Sequence, residues 1–368
     1  MSARRLALDA RLNAYREGGI AEYTRRLAEH LPPLMGEDRL MVIDHRKAQT
    51  PLAPAGMRAF TPPHHRLERW AFGAEIAPLR LDLLHSPDFI PPRFGARRYV
   101  ITVHDLNFLH YPQFQTADSL RYYAGNIAHA ARQAAHILAD SEATKGDLVN
   151  MIGVPPEKIT VHKLGVDESY RPLPPAEVDA VRRRLNLPSA YILFVGTFEP
   201  RKNLAGLLSA YKHLLDRLPD VPPLVIAGRR GWLYETIFQQ AAALGVGELI
   251  LWREDVPFAA MPALYNGASV VALVSHYEGF GFPILEGMAC GVPFVASDRG
   301  SLPEVAGEVG LAVNPDAPEE IAAALARALT DSAWRAAARA AGLARAKEFT
   351  WAETARVVRA VYQRVLSR

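Results

Sequence analysis

Two glutamates bracket a glycine-rich turn in the stretch HYEGFGFPILEGMACGVPFVAS, residues 276–297. Glu278 and Glu286 are eight residues apart, and carboxylates accept paired hydrogen bonds from vicinal hydroxyls. The glycines let the backbone approach a ligand closely, and a helix starting at Pro283 would favour an anion at its free N–H groups. The pattern indicates a site for a polyhydroxylated anion; the alternative is a helix start with two solvated glutamates.

Two adjacent cations form a second candidate site in VGTFEPRKN. Arg201 and Lys202 follow a strand-like run and precede a predicted helix, which places them at the mouth of a sheet. Fixed Lys and Arg donors can stabilise the negative charge that develops on a departing diphosphate without a metal. The alternative is an ordinary basic helix start, although cations are disfavoured at helix N-termini.

The first half of the chain contains weaker candidates. Gly18 and Gly19 precede the predicted helix IAEYTRRLAEHL, and the turn would accept an anion or simply start the helix. His104 ends the strand-like run YVITVHD, where it would point to the ligand edge of a sheet. From the residues alone, a structural role for this histidine is the stronger interpretation.

These residues belong to a repeated alternation of short apolar runs with longer segments of helical period. RLALDA, LMVID, LLHS, YVITVHD, HILADS and ITVHKLG are followed, after a Pro-rich stretch, by YILFVGT, PLVIAG, ELILW, SVVALVS, PFVASD and LAVNP. Such alternation is typical of βαβ units around parallel sheets. We therefore predict two doubly wound α/β domains, at residues 1–170 and 189–349, joined by a linker at 171–188.

A last helix is predicted over residues 350–368. Thr350 and Glu353 form a T-x-x-E capping box. The helix should bury one apolar face against another element, and we expect that element to be the first domain. The predicted face consists of Ala352, Ala355, Val358, Tyr362 and Val365.

Composition narrows the class of protein. The chain has 368 residues, of which 49% are hydrophobic and 22% charged, as expected for a folded protein with two domains.

Cys290 is the only cysteine, so the sequence excludes a disulfide framework and favours a reducing compartment. No signal peptide or membrane-spanning run is predicted, which favours a cytoplasmic location. The scattered arginines and a net charge of +3 give no support for nucleic-acid binding.

The motifs resemble those of one enzyme family. EGFGFPILE followed by GMACGVP looks like the E-x7-E signature of retaining GT-B glycosyltransferases, glycosyltransferase family 4. GGIAEYTRRLAEHL, TVHDLNFLHYPQF, VGTFEPRKNLAGLLSAY and ALYNGASVVALVS resemble further blocks of that family in the same order. The resemblance covers nearly the whole chain and is closest to bacterial mannosyltransferases of surface-polysaccharide assembly.

The resemblance implies a GT-B fold, in which two Rossmann-like domains face a cleft and the C-terminal helix crosses back to the N-terminal domain. The nucleotide-sugar donor would lie mainly in the C-terminal domain and the acceptor in the N-terminal one. By motif match, Glu286 would hold the donor ribose. Glu278 and the backbone of Gly279, Phe280 and Gly281 would face the transferred sugar and its phosphate.

The same match assigns the other candidates. Lys202 and Arg201 would hold the diphosphate, with Lys202 the firmer of the two because some relatives carry Arg where this chain has Thr197. Gly18 and Gly19 would close over the donor phosphates. His104 would hydrogen-bond the transferred sugar or orient the acceptor, which makes Glu278, His104 and Lys202 the predicted catalytic residues. We expect Glu278→Ala or Lys202→Ala to lower turnover more than stability.

The predicted activity is transfer of a hexose, mannose from GDP-mannose, to a glycan or lipid-linked glycan with retention of configuration. No D-x-D sequence occurs, so we expect no metal and no other cofactor. A UDP-sugar donor stays open, because Glu254 stands where relatives have a glycine near the nucleobase. A non-catalytic nucleotide-sugar-binding subunit also stays open. An NAD-dependent oxidoreductase is a more distant interpretation, since GFGFPILEG is not G-x-G-x-x-G.

The acceptor side includes one stretch with mixed chemistry. Residues 64–80, HHRLERWAFGAEIAPLR, combine His and Arg with Trp70 and Phe72. This mixture suits anionic lipid headgroups and predicts peripheral contact with the cytoplasmic leaflet of a membrane. The alternative is a solvated amphipathic segment.

Overall fold

The computed structural model describes residues 3–15, 17–53 and 56–367. The chain divides into two compact units, the first formed by Met1–Gly165 with Thr350–Arg368 and the second by Val166–Phe349. Each unit has one parallel sheet flanked by helices. The predicted fold class, two Rossmann-like α/β domains, is confirmed.

The first unit is built on a sheet whose described strands have the order β3-β2-β1-β4-β5-β6-β7, all parallel. Six of these strands coincide with predicted apolar runs, and the short edge strand β3 was not predicted. The strands are β1 (Arg5–Asp9), β2 (Arg39–His45), β3 (Met57–Ala59), β4 (Leu81–Ser86), β5 (Ala96–Val103), β6 (His136–Ala139) and β7 (Ile159–Val161). The helices that precede the second unit are α1 (Gly19–His30), α2 (Glu68–Ile76), α3 (Asn107–His110), α4 (Ala117–Gln133) and α5 (Glu142–Ile152).

The second unit has a sheet whose described strands have the order β10-β9-β8-β11-β12-β13, also parallel. Its strands are β8 (Ile192–Val195), β9 (Leu224–Ala227), β10 (Ile250–Arg253), β11 (Val270–Leu273), β12 (Phe294–Ser297) and β13 (Leu311–Val313). Its helices are α6 (Pro175–Arg184), α7 (Leu204–Arg217), α8 (Glu235–Ala243), α9 (Met261–Asn266), α10 (Phe282–Cys290), α11 (Leu302–Ala306), α12 (Pro318–Thr330) and α13 (Ser332–Ala346).

The stretch predicted as a linker is structured. Residues 171–188 contain helix α6 and belong to the second unit, whose first residue is Val166. The prolines that suggested a linker instead start the helix, because Pro174 is its N-cap and Pro175 its first residue. Proline is well tolerated there, since the N–H that it lacks would have no helical partner.

Most strand residues are apolar because both faces of each sheet are covered by helices. All four residues of β6, β9, β11 and β12 are buried. Helix starts are fixed by side-chain caps: Thr116 accepts from Ser119 N, Ser141 from Thr144 N and Asp331 from Trp334 N. The rigid strands bring the loops at their carboxyl ends to a common edge.

The last helix, α14 (Trp351–Ser367), packs on the sheet of the first unit. The Thr350 hydroxyl accepts a hydrogen bond from Glu353 N at 3.2 Å, as the T-x-x-E pattern predicts. Four of the five predicted face residues are buried, whereas Ala352 is exposed. Trp351, Thr354 and Val361 are buried in addition, because the contact stripe is rotated around the helix axis relative to the predicted face.

The Tyr362 hydroxyl lies 2.7 Å from His85 Nδ1, and the Thr102 hydroxyl lies 2.8 Å from His85 Nε2. Burial, followed by the charges of His162 and His104, lowers the pKa of His85 to about 3. His85 is therefore neutral at pH 7, with one N–H and one acceptor nitrogen. This histidine ties α14 to strands β4 and β5.

Candidate functional site

In the sheet of the second unit, the order in which strands are added reverses between β8 and β11. From β8 the chain continues to β9 and β10 on one side, whereas β11, β12 and β13 lie on the other. Open α/β sheets bind ligands at such a switch point, outside the carboxyl ends of the strands. The segment after β8 contains Arg201 and Lys202, and the segment after β11 contains Glu278, so the predicted donor residues converge here.

The basic turn after β8 is a 3-10 turn, Pro200–Lys202, and is separate from helix α7. Asn203 follows in a left-handed conformation, with φ of 54°, and its side chain caps α7 by accepting from Gly206 N at 3.1 Å. The Asn203 amide also donates to the carbonyls of Val274 (3.0 Å) and Pro315 (2.7 Å). Arg201 and Lys202 are thus not the first residues of a helix; Asn203 holds their turn against the end of β11.

Glu278 lies at the centre of an ion cluster. Lys202 Nζ donates to Glu278 Oε1 at 2.7 Å, and Arg201 Nη1 donates to Oε2 at 2.8 Å. The Ser275 hydroxyl also donates to Oε1, at 2.6 Å, and Arg201 Nη2 pairs with Glu199 at 2.7 Å. Each cation is at most 13% exposed, so the pairs are largely shielded from solvent.

The charges in this cluster set the protonation of Glu278. Burial by itself raises the pKa of Glu278, but Lys202 and Arg201, together with hydrogen bonds from Lys202 and Ser275, lower it to about 2. Glu278 is therefore a carboxylate at neutral pH. Such a group cannot act as a general acid there, which argues against the acid and nucleophile pair of a glycoside hydrolase.

The glycine-rich segment after Glu278 is buried and firmly held. The Ser301 hydroxyl lies 2.9 Å from the carbonyl oxygen of Glu278 and 2.8 Å from that of Phe280. Gly281 has φ of +108° and is the N-cap of α10, so only glycine fits this turn without strain. With no side chain at the cap, the amino end of α10 is suited to an anion.

Glu286 lies within α10, in its second turn. The Tyr265 hydroxyl, on α9, donates to Glu286 Oε2 at 2.5 Å. Tyr265 is buried and packs edge-on against the ring of Tyr170, with centroids 5.7 Å apart. This contact fixes the direction of a half-buried carboxylate that was predicted to hold ribose hydroxyls.

The remaining predicted residues belong to the first unit. Gly18, with φ of 125°, is the N-cap of α1, and Gly18 and Gly19 are both exposed at its amino end. His104 follows β5, and its Nδ1 lies 2.6 Å from Asp140 Oδ2 at the end of β6. Burial lowers the pKa of His104, but Asp140 outweighs this effect and raises it. Among the described residues, no polar atom pairs with His104 Nε2, although that atom is buried.

Sequence reasoning missed the residues that orient the site: Ser275, Ser301, Tyr265, Asn203 and Asp140. Four of them lie in quoted segments, since Tyr265 and Ser275 are in ALYNGASVVALVS, Asp140 is in the run HILADS and Asn203 is in VGTFEPRKN. Ser275 is only three residues from Glu278, but the partners of Tyr265, Ser301 and Asp140 are 21 to 36 residues away, and no spacing rule relates them. In the part of the chain that the structure describes, no group of three His, Cys, Asp or Glu side chains could hold a metal ion.

Comparison with known proteins identifies the family. Residues 177–345 match the model of glycosyl transferases group 1, and residues 17–170 match glycosyltransferase family 4. The chain is 35% identical to O-antigen chain mannosyltransferase B of Escherichia coli over 299 residues, 81% of this chain and 77% of that protein. The chain therefore belongs to the group 1 glycosyltransferases and is a glycosyltransferase, so the NAD-dependent oxidoreductase interpretation is set aside.

Two more distant similarities extend over almost the whole chain. A D-inositol 3-phosphate glycosyltransferase of Thermobispora bispora is 27% identical over 378 residues, 94% of this chain and 85% of that protein. The structure of sucrose-phosphate synthase from Thermosynechococcus elongatus superposes with a TM-score of 0.82 over 99% of both chains at 21% identity. This structural similarity supports the fold.

Proposed function

We propose that the chain transfers mannose from GDP-mannose to a hydroxyl of a glycan acceptor, with retention of configuration and without a metal. The observation that carries the proposal is the Arg201, Lys202 and Glu278 cluster at the β8/β11 switch point. Its two fixed cations suit a nucleoside diphosphate. The mannosyl assignment is supported by the 35% identical relative, whose name specifies a mannosyltransferase.

In the proposed reaction the bond from the anomeric carbon to the β-phosphate oxygen breaks through an oxocarbenium-like state. A bond from the acceptor oxygen forms on the same face of the sugar, and the departing β-phosphate takes the acceptor proton. Arg201 and Lys202 would stabilise the charge that accumulates on this phosphate. Glu278 would keep both cations in place, and Glu286, oriented by Tyr265, would bind the ribose hydroxyls of the donor.

The donor assignment is tested by thermal shift with GDP, UDP, ADP and their sugar conjugates in EDTA, because a ligand that binds the native state raises its stability. We expect GDP and GDP-mannose to raise the melting temperature. A response to UDP alone would move the donor to a UDP-sugar. Transfer of labelled mannose to a mannoside, with the anomeric configuration read by NMR, distinguishes an enzyme from a non-catalytic subunit and tests retention.

We also propose that the acceptor is lipid-linked and that the first unit contacts an anionic membrane surface peripherally. Trp70 of α2 is 54% exposed; its ring packs on Phe94, and the Arg93 guanidinium lies 4.8 Å from its centroid. An exposed aromatic pair beside arginine suits a headgroup interface. No helix among the described residues has the length and apolar character needed to cross a bilayer.

The membrane proposal is tested by flotation of the protein with anionic and zwitterionic vesicles. We expect binding to the anionic vesicles that falls on Trp70→Ala and with added salt. Exposed Leu249, in the second unit, provides the matched control Leu249→Ala. Equal flotation of both variants with the wild type, or no flotation at all, would contradict the proposal.

A further inference from the structure

A small open cavity lies in the first unit, at the switch point of its own sheet. β1 and β4 are neighbours there, and the chain continues to β2 on one side and to β5 on the other. Asp9 ends β1 and Ser86 ends β4; Glu68 of α2 and Tyr122 of α4 belong to the same wall. The place is one where α/β sheets bind ligands.

Arg11 lines this cavity, but its guanidinium is already paired with carboxylates of the protein. Its guanidinium pairs with both oxygens of Asp9 (2.9 and 2.8 Å) and with Glu68 Oε1 (2.8 Å), and it donates to the Thr61 carbonyl (2.9 Å). Arg11 is 2% exposed and lies 3.4 Å over the Phe72 ring. A residue so completely paired is a structural cation and offers little to an anionic ligand.

Carboxyl groups outnumber cations in the wall. Glu68 Oε2 accepts from the Tyr122 hydroxyl and from His64 N, each at 2.7 Å. Asp88 Oδ2 lies 2.5 Å from His64 Nε2. Together with Asp9, three carboxyl groups therefore face one guanidinium and one imidazole. Carboxylates accept hydrogen bonds from hydroxyl groups and repel phosphates.

Ser86 provides an independent sign of a ligand. It lies in the cavity wall, is 2% exposed, and its hydroxyl has no hydrogen-bond partner among the described residues. Buried hydroxyls are normally paired, and an unpaired one calls for an explanation such as a bound group. The cavity has room for little more than one water-sized group and opens to solvent. A single hydroxyl of a larger molecule would fit beside Ser86.

We propose that this cavity binds the hydroxyl-bearing edge of a neutral sugar, the acceptor terminus, and discriminates against phosphorylated or acidic acceptors. The inference rests on the proposed transferase function. Ser86 and Asp88 are its specificity-determining residues: the serine exchanges a hydrogen bond with a sugar hydroxyl, and the aspartate accepts one. A phosphate on the same edge would meet the carboxyl groups at close range.

The direct test is saturation-transfer NMR on the full chain with methyl α-mannoside and, separately, mannose 6-phosphate. We expect contact signals for the neutral mannoside and at least tenfold weaker binding of the phosphate. Ser86→Ala and Asp88→Asn should each weaken mannoside binding by about 3- to 10-fold, the loss expected for one hydrogen bond. Asp118→Asn, on exposed α4 surface, is the matched control and should bind normally.

The outcomes separate this inference from the proposed function. No mannoside signal, equal binding by wild type and both cavity variants, or a preference for mannose 6-phosphate would each overturn the cavity assignment, whatever donor the enzyme uses. GDP binding and the KM for GDP-mannose should be unchanged in Ser86→Ala. If GDP and GDP-mannose fail to bind the wild type while the mannoside still does, the donor proposal fails and the cavity assignment stands.

Discussion

Glu278 is the residue that connects the parts of the candidate donor site. Its carboxylate joins a turn after β8 to a segment after β11, through Arg201, Lys202 and Ser275. The two cations that the sequence places at the mouth of the sheet are thus paired with Glu278. A diphosphate would have to share Arg201 and Lys202 with Glu278, so the carboxylate controls how much positive charge the ligand meets.

Two substitutions at Glu278 should lower the free energy of unfolding and kcat to different extents. Glu278→Ala leaves two largely buried cations without this partner, and we expect a loss of about 3–5 kcal/mol in the free energy of unfolding. From the sequence we expected alanine to lower turnover more than stability; the buried ion pairs now predict a substantial loss of stability as well. Glu278→Gln keeps the shape and one acceptor oxygen, so it should lose less stability while lowering kcat at least tenfold.

Urea unfolding at pH 7 and pH 3, with mannosyl transfer assays, checks this prediction. Because the pKa of Glu278 is lowered to about 2 in the fold, its stabilisation is present above the unfolded pKa of about 4.3 and is lost as pH falls toward 2. The difference in stability between wild type and Glu278→Gln should therefore shrink with acid. Glu248→Gln, exposed in the same unit, should match the wild type. Wild-type kcat in Glu278→Gln would remove this residue from the mechanism.

The contact of Asp140 with His104 predicts a pH effect. Asp140 accepts from His104 Nδ1, so His104 Nε2 is a donor only in the charged imidazolium. Asp140 raises the pKa of His104, and if a sugar oxygen needs this donor, activity will fall as pH rises through that pKa. Asp140→Asn should lower the pKa of His104 and move the alkaline limb of kcat to lower pH.

The pH profile of kcat between about pH 5.5 and 9, with the His104 ring titrated by NMR, measures this shift. Asp147→Asn is the control, because Asp147 pairs with the more exposed His110 at 2.8 Å. If the NMR pKa of His104 moves but the kcat limb does not, His104 is not the proposed donor.

Among the secondary-structure elements, helix α14 is notable because its polar contacts are made with residues far away in the chain. Arg359 pairs with Asp38 at 2.8 Å, the Thr354 hydroxyl donates to the Lys163 carbonyl at 2.7 Å, and Tyr362 meets His85. These partners are 191 to 321 residues away in the chain. The helix therefore contributes specific polar contacts to the first unit as well as an apolar face.

We expect Tyr362→Phe to destabilise the first unit by about 1–3 kcal/mol, because one nitrogen of the buried, neutral His85 loses its partner. Denaturant titration would show a lower midpoint for the transition that includes the first unit. Exposed Gln363, the next residue on α14, supplies the control Gln363→Ala. A midpoint equal to that of wild type would mean that solvent or another group replaces the hydroxyl.

For the whole molecule, the apolar runs were sufficient to predict both parallel sheets except the short edge strand β3, because strands covered on both faces are mostly apolar. The same runs could not locate the boundary near Gly165 or the helix inside residues 171–188. The motifs identified Glu278, Glu286 and Lys202, yet not Tyr265 or Ser301. Those contacts depend on how separate segments pack, and a single sequence carries no signal for that.

The second unit interrupts the first, and this arrangement affects the order of folding during synthesis. The ribosome releases residues 166–349 before α14, so the second unit has all of its chain before the first does. Until α14 arrives, His85 and the apolar surface that the helix covers lack their partner. We therefore expect the N-terminal half to be prone to aggregation during synthesis until its last helix is in place.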